Sequence, residues 1–184
     1  MAPTLRTAHT ADLASAELAA ARGLLDAAFD GSFGDEDWEH ALGGIHALVH
    51  DDTGVLLAHG SVVMRRALHR GRWLRVGYVE AVGVRTDARR RGLGGQVLGA
   101  LERFIDGGYD LGALSASADG SALYEARGWQ LWPGRISALG PDGVVHLPEE
   151  EGGVFVRPTV VGSLVGSLDP AEGLVFDWRD GDVL

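Results

Sequence analysis

The run Arg89-Arg90-Arg91-Gly92-Leu93-Gly94-Gly95 has the form Arg-x-x-Gly-x-Gly and lies between a strand-like segment and a helical one. Glycines let backbone approach a ligand closely, the free N–H groups at a helix start attract a phosphate, and arginines add charge-assisted donors. The pattern points to a pyrophosphate site; taken alone it reads equally well as a solvated arginine-rich turn closed by glycine. It is not a Walker loop, because no Gly-Lys-Ser/Thr follows, nor a dinucleotide fingerprint, because Val97 stands at the third glycine position. Just upstream, Glu80 is the one carboxylate in the apolar run Val76 to Val84, and strict alternation puts Tyr78, Glu80, Val82 and Val84 on one side. A carboxylate there is costly unless paired or solvated, so Glu80 is either a proton acceptor in a cleft or the partner of a nearby arginine.

The elements that must position these groups follow from periodicity. Leu5 to His9 reads as a strand and Ser15 to Phe29 as a helix, with Leu18, Ala21, Leu25, Ala28 and Phe29 on its apolar stripe. Asp35 to His40 opens with the acidic first turn of a short helix. Ile45–His50, Val55–Met64 and Trp73–Val84 form an antiparallel meander, with turns at Asp51 to Gly54 and at His69 to Gly71. Gln96 to Ile105 is helical and stops at Gly107-Gly108. A strand at Leu111–Ser115, a helix at Ser121–Arg127 and short strands at Ile136–Leu139, Val154–Val156 and Leu174–Phe176 complete an α+β fold: one domain over residues 1–184 with a strand-rich C-terminal third from 135.

Composition narrows the chemistry. With 184 residues, 46% of them apolar, the chain is long enough to bury a full core without staples. It has no cysteine, which excludes thiolate catalysis and Cys-ligated zinc. All 16 basic residues are arginine, so Schiff-base lysine chemistry is excluded too; GC-rich codon usage accounts for the absence of lysine. The net charge of −10 is unevenly spread. Between Arg65 and Arg91 nine arginines face two acids, whereas from Glu149 to Leu184 eight acids face two arginines. One basic stretch within an acidic whole argues against nucleic acid and for two ligands of opposite charge. No apolar run approaches a membrane span, and Met1 to Arg6 lacks a secretory pattern, so a cytoplasmic protein is expected. His40, His46, His50 and His59 have no acidic partner at metal-ligand spacing and are read as structural or surface residues; no metal is expected.

Strand, Arg-x-x-Gly-x-Gly loop and helix, followed by Ser115-Ala116-Ser117 and the segment Leu123-Tyr124-Glu125-Ala126-Arg127-Gly128-Trp129, resemble the GCN5-related N-acetyltransferases. Trp38 to Leu48, Gly77 to Val82, Gly112 to Ser117 and Asp177 to Val183 resemble, more narrowly, the aminoglycoside 2′-N-acetyltransferases of mycobacteria and related bacteria. That resemblance runs from about Thr7 to the end and is weakest from Gly140 to Leu168. It implies a mixed, mostly antiparallel sheet flanked by helices, acetyl transfer from acetyl-CoA to an aminoglycoside amine, and a homodimer. It further implies that residues 89–95 hold the coenzyme A pyrophosphate and that the Val82 and Val84 backbone holds the pantetheine arm, with Val82 polarising the thioester. Glu80 would be the general base acting through water and Tyr124 the general acid; Ser115 would assist, or be a buried serine satisfied by backbone.

For the cationic substrate the resemblance implies acidic groups, matched here by Glu150, Asp182 and the carboxylate of Leu184, with Glu80 beside them. Glu149 to Glu151 read equally as a solvated loop. Two positions depart from the family: the chain ends in Leu184 rather than tryptophan, and Ser32 stands where relatives have an aspartate, a role open to Asp30 or Asp35. The competing functions are acetylation of another amine, such as a polyamine, peptide N-terminus or cell-wall amino sugar, and acyl-CoA sensing without turnover. A candidate base together with a candidate acid argues against the sensor.

Overall fold

A computed structural model describes residues 3–117, 120–159, 168–181 and 183–184. In chain order the elements are β1 (Thr4–His9), α1 (Ser15–Ala28), α2 (Asp35–His40), β2 (Ile45–His50), β3 (Leu56–His69), β4 (Arg72–Val84), α3 (Leu93–Gly108), β5 (Leu111–Ser115), α4 (Ser121–Ala126), β6 (Gln130–Leu131), β7 (Ile136–Gly140), β8 (Gly143–His146), β9 (Val154–Pro158) and β10 (Leu174–Asp177). Single 3-10 turns occur at Thr10–Asp12, Thr86–Ala88 and Pro148–Glu150. The α+β class expected from the sequence holds. The chain divides into two compact bodies, residues 1–63 with 79–103 and residues 64–78 with 104–184, so β3, β4 and α3 contribute to both.

In the first body β1 pairs antiparallel with β2, and β2 with β3. The helix α1 starts where the Glu17 carboxylate accepts the Ala14 N–H at 2.9 Å, satisfying one of the amides a helix start leaves over. Its buried residues are Ala21, Leu24 and Leu25, packed with Leu13, Leu48 and Leu56; Leu18 and Ala28 lie at the margin. Phe29, expected on the stripe, lies past the last turn and stacks on Phe33 at 5.5 Å.

The second body carries the strand-rich third. β5 lies between β4, parallel to it, and β9, antiparallel; β10 pairs antiparallel with β3 and parallel with β7, and β7–β8 is a hairpin. Gly77 and Gly112 are register partners, and a Cβ on either would lie 2.9 Å from a methyl or methylene carbon of Ile105, so the pair of glycines admits that side chain against the sheet. Arg157 holds Asp106 through two bonds of 2.9 and 2.8 Å, and the Thr159 hydroxyl donates to the Tyr109 carbonyl at 2.6 Å.

Strict alternation along β4 fails. Gly77 and Val82, five residues apart, both turn toward α3: the first toward Ile105, the second beside Gly60, Val97 and Leu101. The switch falls at Ala81, whose φ of +50° is left-handed and costs a non-glycine residue about 1–2 kcal/mol. Tyr78 and Val82 therefore do not share a side. The Ala81 carbonyl receives the His59 Nδ1 proton at 3.0 Å; His59 Nε2 lies 2.9 Å from His46 Nδ1, and His46 Nε2 lies 2.8 Å from Thr10 Oγ1. Both rings have no exposed surface, and burial first, then a neighbouring histidine, holds each pKa down to about 4. The unfolded imidazole titrates near 6.5, so between those values the unfolded chain binds protons that the native one refuses, and stability rises with pH. Thermal unfolding is expected to show a full histidine contribution above pH 6.5 that declines steadily toward pH 4; a melting temperature flat across that window would contradict the buried neutral pair.

Candidate active site

In the first body the end of β4 leads through a 3-10 turn into α3. The Arg85 N–H bonds the Leu57 carbonyl at 2.9 Å, and its guanidinium closes on Asp87 at 2.6 and 3.0 Å, which lowers the Asp87 pKa. Arg89 is tied to backbone, donating to the Ala28 carbonyl at 3.0 Å and toward Val84 O at 3.4 Å. Arg90 (φ 61°) and Gly92 (φ 77°) are both left-handed, which turns the chain sharply into α3 at Leu93. The helix thus begins three residues earlier than its apolar spacing predicts, with Gly94 and Gly95 in its first turn. First-turn amides have no intrahelical acceptor. Gly94 and Gly95 are half-buried, and a Cβ at Gly92 would meet nothing within 4 Å. Arg90 and Arg91 are exposed and make no hydrogen bond among the described residues. This arrangement suits a diphosphate, with Arg90 and Arg91 as exposed cations and Arg89 bonded to the Ala28 carbonyl of α1.

Glu80, Val82 and Val84 are half-buried, at and beyond the break in β4. Ser32 is exposed and donates to the Phe29 carbonyl at 2.7 Å, closing the end of α1. Asp35 opens α2 with its carboxylate 94% exposed and 3.0 Å from Arg22, which also holds Asp26 at 2.7 Å. The structure thus gives Ser32 a turn-closing role and Asp35 a surface ion pair of little energetic weight.

In the second body two sequence candidates meet. Ser115, the last residue of β5, donates its hydroxyl to Glu150 Oε2 at 3.0 Å, and the adjacent Ala116 N–H bonds Gly153 O at 2.9 Å. Glu150 sits in the 3-10 turn Pro148–Glu150 and is half-buried rather than a freely solvated carboxylate. Tyr124, on α4, is buried against Trp129 and Phe155, with ring centroids 6.3 and 6.0 Å away. Burial pushes its phenol up to about 12, so it is protonated across the physiological range. The spacing Tyr-x-x-x-Gly-Trp has a local cause: Gly128 at φ 82° turns the chain, and the Trp129 N–H returns to the Tyr124 carbonyl at 3.1 Å.

Sequence reasoning counted Arg65 only as part of a basic stretch, yet it is 2% exposed and clamps the C-terminal segment. It donates to Asp177 Oδ1 at 3.0 Å, to the Asp177 carbonyl at 2.6 Å and to the Val183 carbonyl at 2.8 Å. Its guanidinium lies over the rings of Tyr78 and Phe176, at 4.9 and 5.4 Å. Leu184 is buried at 7% exposure, so its side chain packs inward. Asp182 lies outside the described residues. No local signal marks Arg65, which lies just past the expected strand end at Met64, as buried; its partners are 112 and 118 positions away.

The acetyltransferase (GNAT) domain family matches residues 9–132. An aminoglycoside 2′-N-acetyltransferase from Mycolicibacterium fortuitum is 49% identical over 181 residues, which is 98% of this chain and 91% of that protein. Among solved structures, the GNAT family N-acetyltransferase YhbS from Escherichia coli, in complex with CoA, has a TM-score of 0.65 at 16% identity, covering 96% of this chain and 89% of that one. An acyl-CoA N-acyltransferase from Pseudomonas aeruginosa has a TM-score of 0.58 at 19% identity, covering 85% and 99%. Those two likenesses concern the fold. A phosphate-suited helix start after a broken strand, carried on a chain that matches the domain family over two thirds of its length, means that the protein belongs to the GNAT family of acetyl-CoA-dependent acetyltransferases.

Proposed function

We propose that this protein acetylates the 2′-amino group of aminoglycosides. The observation that carries the reading is the 49% identity to the Mycolicibacterium fortuitum enzyme, which extends over 98% of the chain and so includes the C-terminal third as well as the acetyl-CoA loop. The acidic character of that third supports a cationic substrate, with Glu150, Asp182 and the terminal carboxylate as ligands. Cytoplasmic location and a homodimer complete the reading.

Acetyl-CoA supplies the acetyl thioester. Residues 89–95 hold its diphosphate through the first amides of α3 and the Arg90 and Arg91 side chains, and the Val82 and Val84 backbone holds the pantetheine arm. Glu80 takes the proton of the 2′-ammonium through a water, because only the neutral amine is a nucleophile. The Val82 N–H donates to the oxygen on which negative charge builds as the N–C bond forms. As the C–S bond breaks, the Tyr124 hydroxyl donates to the departing sulfur; burial holds the phenol up to about 12 and so keeps it protonated and able to donate. Ser115, already bonded to Glu150, orients that carboxylate toward the substrate.

A face of the second body supports pairing with a second copy. Trp73, Leu139 and Trp178 are 43%, 43% and 39% exposed around a cleft of about 470 Å³ that Arg66 and Asp177 complete. Isolated proteins rarely leave two tryptophans and a leucine together in water.

With acetyl-CoA, tobramycin should release free CoA in a thiol assay at a far higher rate than kanamycin A, which has a hydroxyl at the 2′ position; equal rates would overturn the regiochemistry. Glu80→Gln should lower kcat by about 10²–10⁴ with little change in KM for acetyl-CoA, and an unchanged kcat would remove Glu80 as base. Sedimentation of Trp178→Glu should show a monomer where the parent protein is a dimer.

A further inference from the structure

The chain Thr10–His46–His59–Ala81 has a direction that its ends dictate. A carbonyl only accepts, so His59 carries its proton on Nδ1 and donates to Ala81 O at 3.0 Å. His59 is neutral, which leaves Nε2 as an acceptor, and the donor 2.9 Å from it is Nδ1–H of His46. His46 Nε2 is then an acceptor as well, and the group 2.8 Å away is the Thr10 hydroxyl. That hydroxyl also lies 3.3 Å from the Gly44 carbonyl, which already receives the Thr10 N–H at 3.0 Å; the shorter contact, to His46, takes its proton, while Thr10 Oγ1 itself accepts the Gly43 N–H at 2.8 Å. The two imidazole protons each have one acceptor, and both point toward β4.

The receiving carbonyl belongs to the residue between Glu80 and Val82. Its left-handed φ is the break at which β4 changes face, so the peptide planes on either side of Ala81 set where the Glu80 side chain and the Val82 N–H point. An unheld carbonyl at that break would be free to rotate its peptide plane. We propose that His59, with His46 and Thr10 behind it, is a positioning residue for acetyl transfer: its Nδ1–H fixes the Ala81 carbonyl and thereby the directions of Glu80 and the Val82 N–H. The proposal rests on the assignment of Glu80 and Val82 to the reaction. The Trp38 ring lies 6.4 Å from that of His59, tilted 47° to it.

Two measurements test it. Long-range ¹H–¹⁵N spectra of the ¹⁵N-histidine protein at pH 7 should show both rings neutral with the proton on Nδ1; an Nε2–H ring or an imidazolium at either position overturns the relay. Steady-state kinetics then compare His59→Leu, which removes the donor, with His59→Asn, whose amide nitrogen falls near the place of Nδ1. His59→Leu should lower kcat about tenfold to a hundredfold with KM for acetyl-CoA within about threefold, and His59→Asn should recover most of that loss. A kcat that Leu leaves intact, or that Asn fails to restore relative to Leu, overturns the positioning role. Where His59→Leu does not fold, Thr10→Val takes its place: it should lower kcat and shift the His46 ring away from the Nδ1–H tautomer, and no change in either contradicts the proposal. Glu80→Gln separates the two readings, since a full kcat there removes the base assignment while the histidine tautomers and the Leu/Asn comparison still decide the relay.

Discussion

A backbone carbonyl turned out of a sheet ladder must find a donor, and β4 turns one out at Ala81 in the middle of a hydrophobic body. Left unsatisfied, that oxygen would carry a desolvation penalty of about 1–3 kcal/mol on top of the cost of a left-handed alanine. The fold meets this with two histidines and a threonine drawn from β3, β2 and the turn after β1. Those strands must therefore pair in the register they do, with His46 and His59 facing the same interior, and the packing of α1 on Ala81 and Gly83 has to leave room for two imidazoles. Much of the first body is built around keeping one peptide plane where it is.

The same constraint explains what could and could not be read from the sequence. Apolar runs bounded by turns located β2 and β5 to the residue, because both strands are buried on both faces. β3 was read five residues short, ending at Met64; the strand runs on to His69, with Arg65 buried and held by Asp177, 112 positions away. β8 passed unread since its two valines point to solvent at an edge and leave no alternation. The break in β4 had no local signature at all, as alanine has no preference for a left-handed conformation. Among candidate site segments, the glycine turn into α3 and the Gly128 turn after Tyr124 were legible through turn chemistry. The Ser115–Glu150 bond was not, because nothing local announces a contact across 35 residues.

Charge sums proved a coarse guide. Of the nine arginines between 65 and 91, Arg65 is inside the core, Arg75 is joined to Asp110, Arg85 to Asp87, and Arg89 to backbone. In the proposed diphosphate site the cationic side chains are then Arg90 and Arg91, beside the first amides of α3. Arginine serves the buried positions through its planar shape: the guanidinium of Arg65 reaches three oxygens in its own plane while its faces meet Tyr78 and Phe176, a geometry that an ammonium does not offer.

The glycine pair across β4 and β5 carries a consequence for how such a chain can change over time. Gly77 and Gly112 sit side by side, and the same isoleucine fills the space above both. Neither glycine can acquire even a methyl group without displacing Ile105, together with the Tyr109 ring at Gly77, and a smaller residue at 105 alone would leave a void over two bare stretches of backbone. The three positions are thus joined in one evolutionary unit, crossing sequence separations of 28 and 7 residues, and lineages that alter one are expected to carry a compensating change in another.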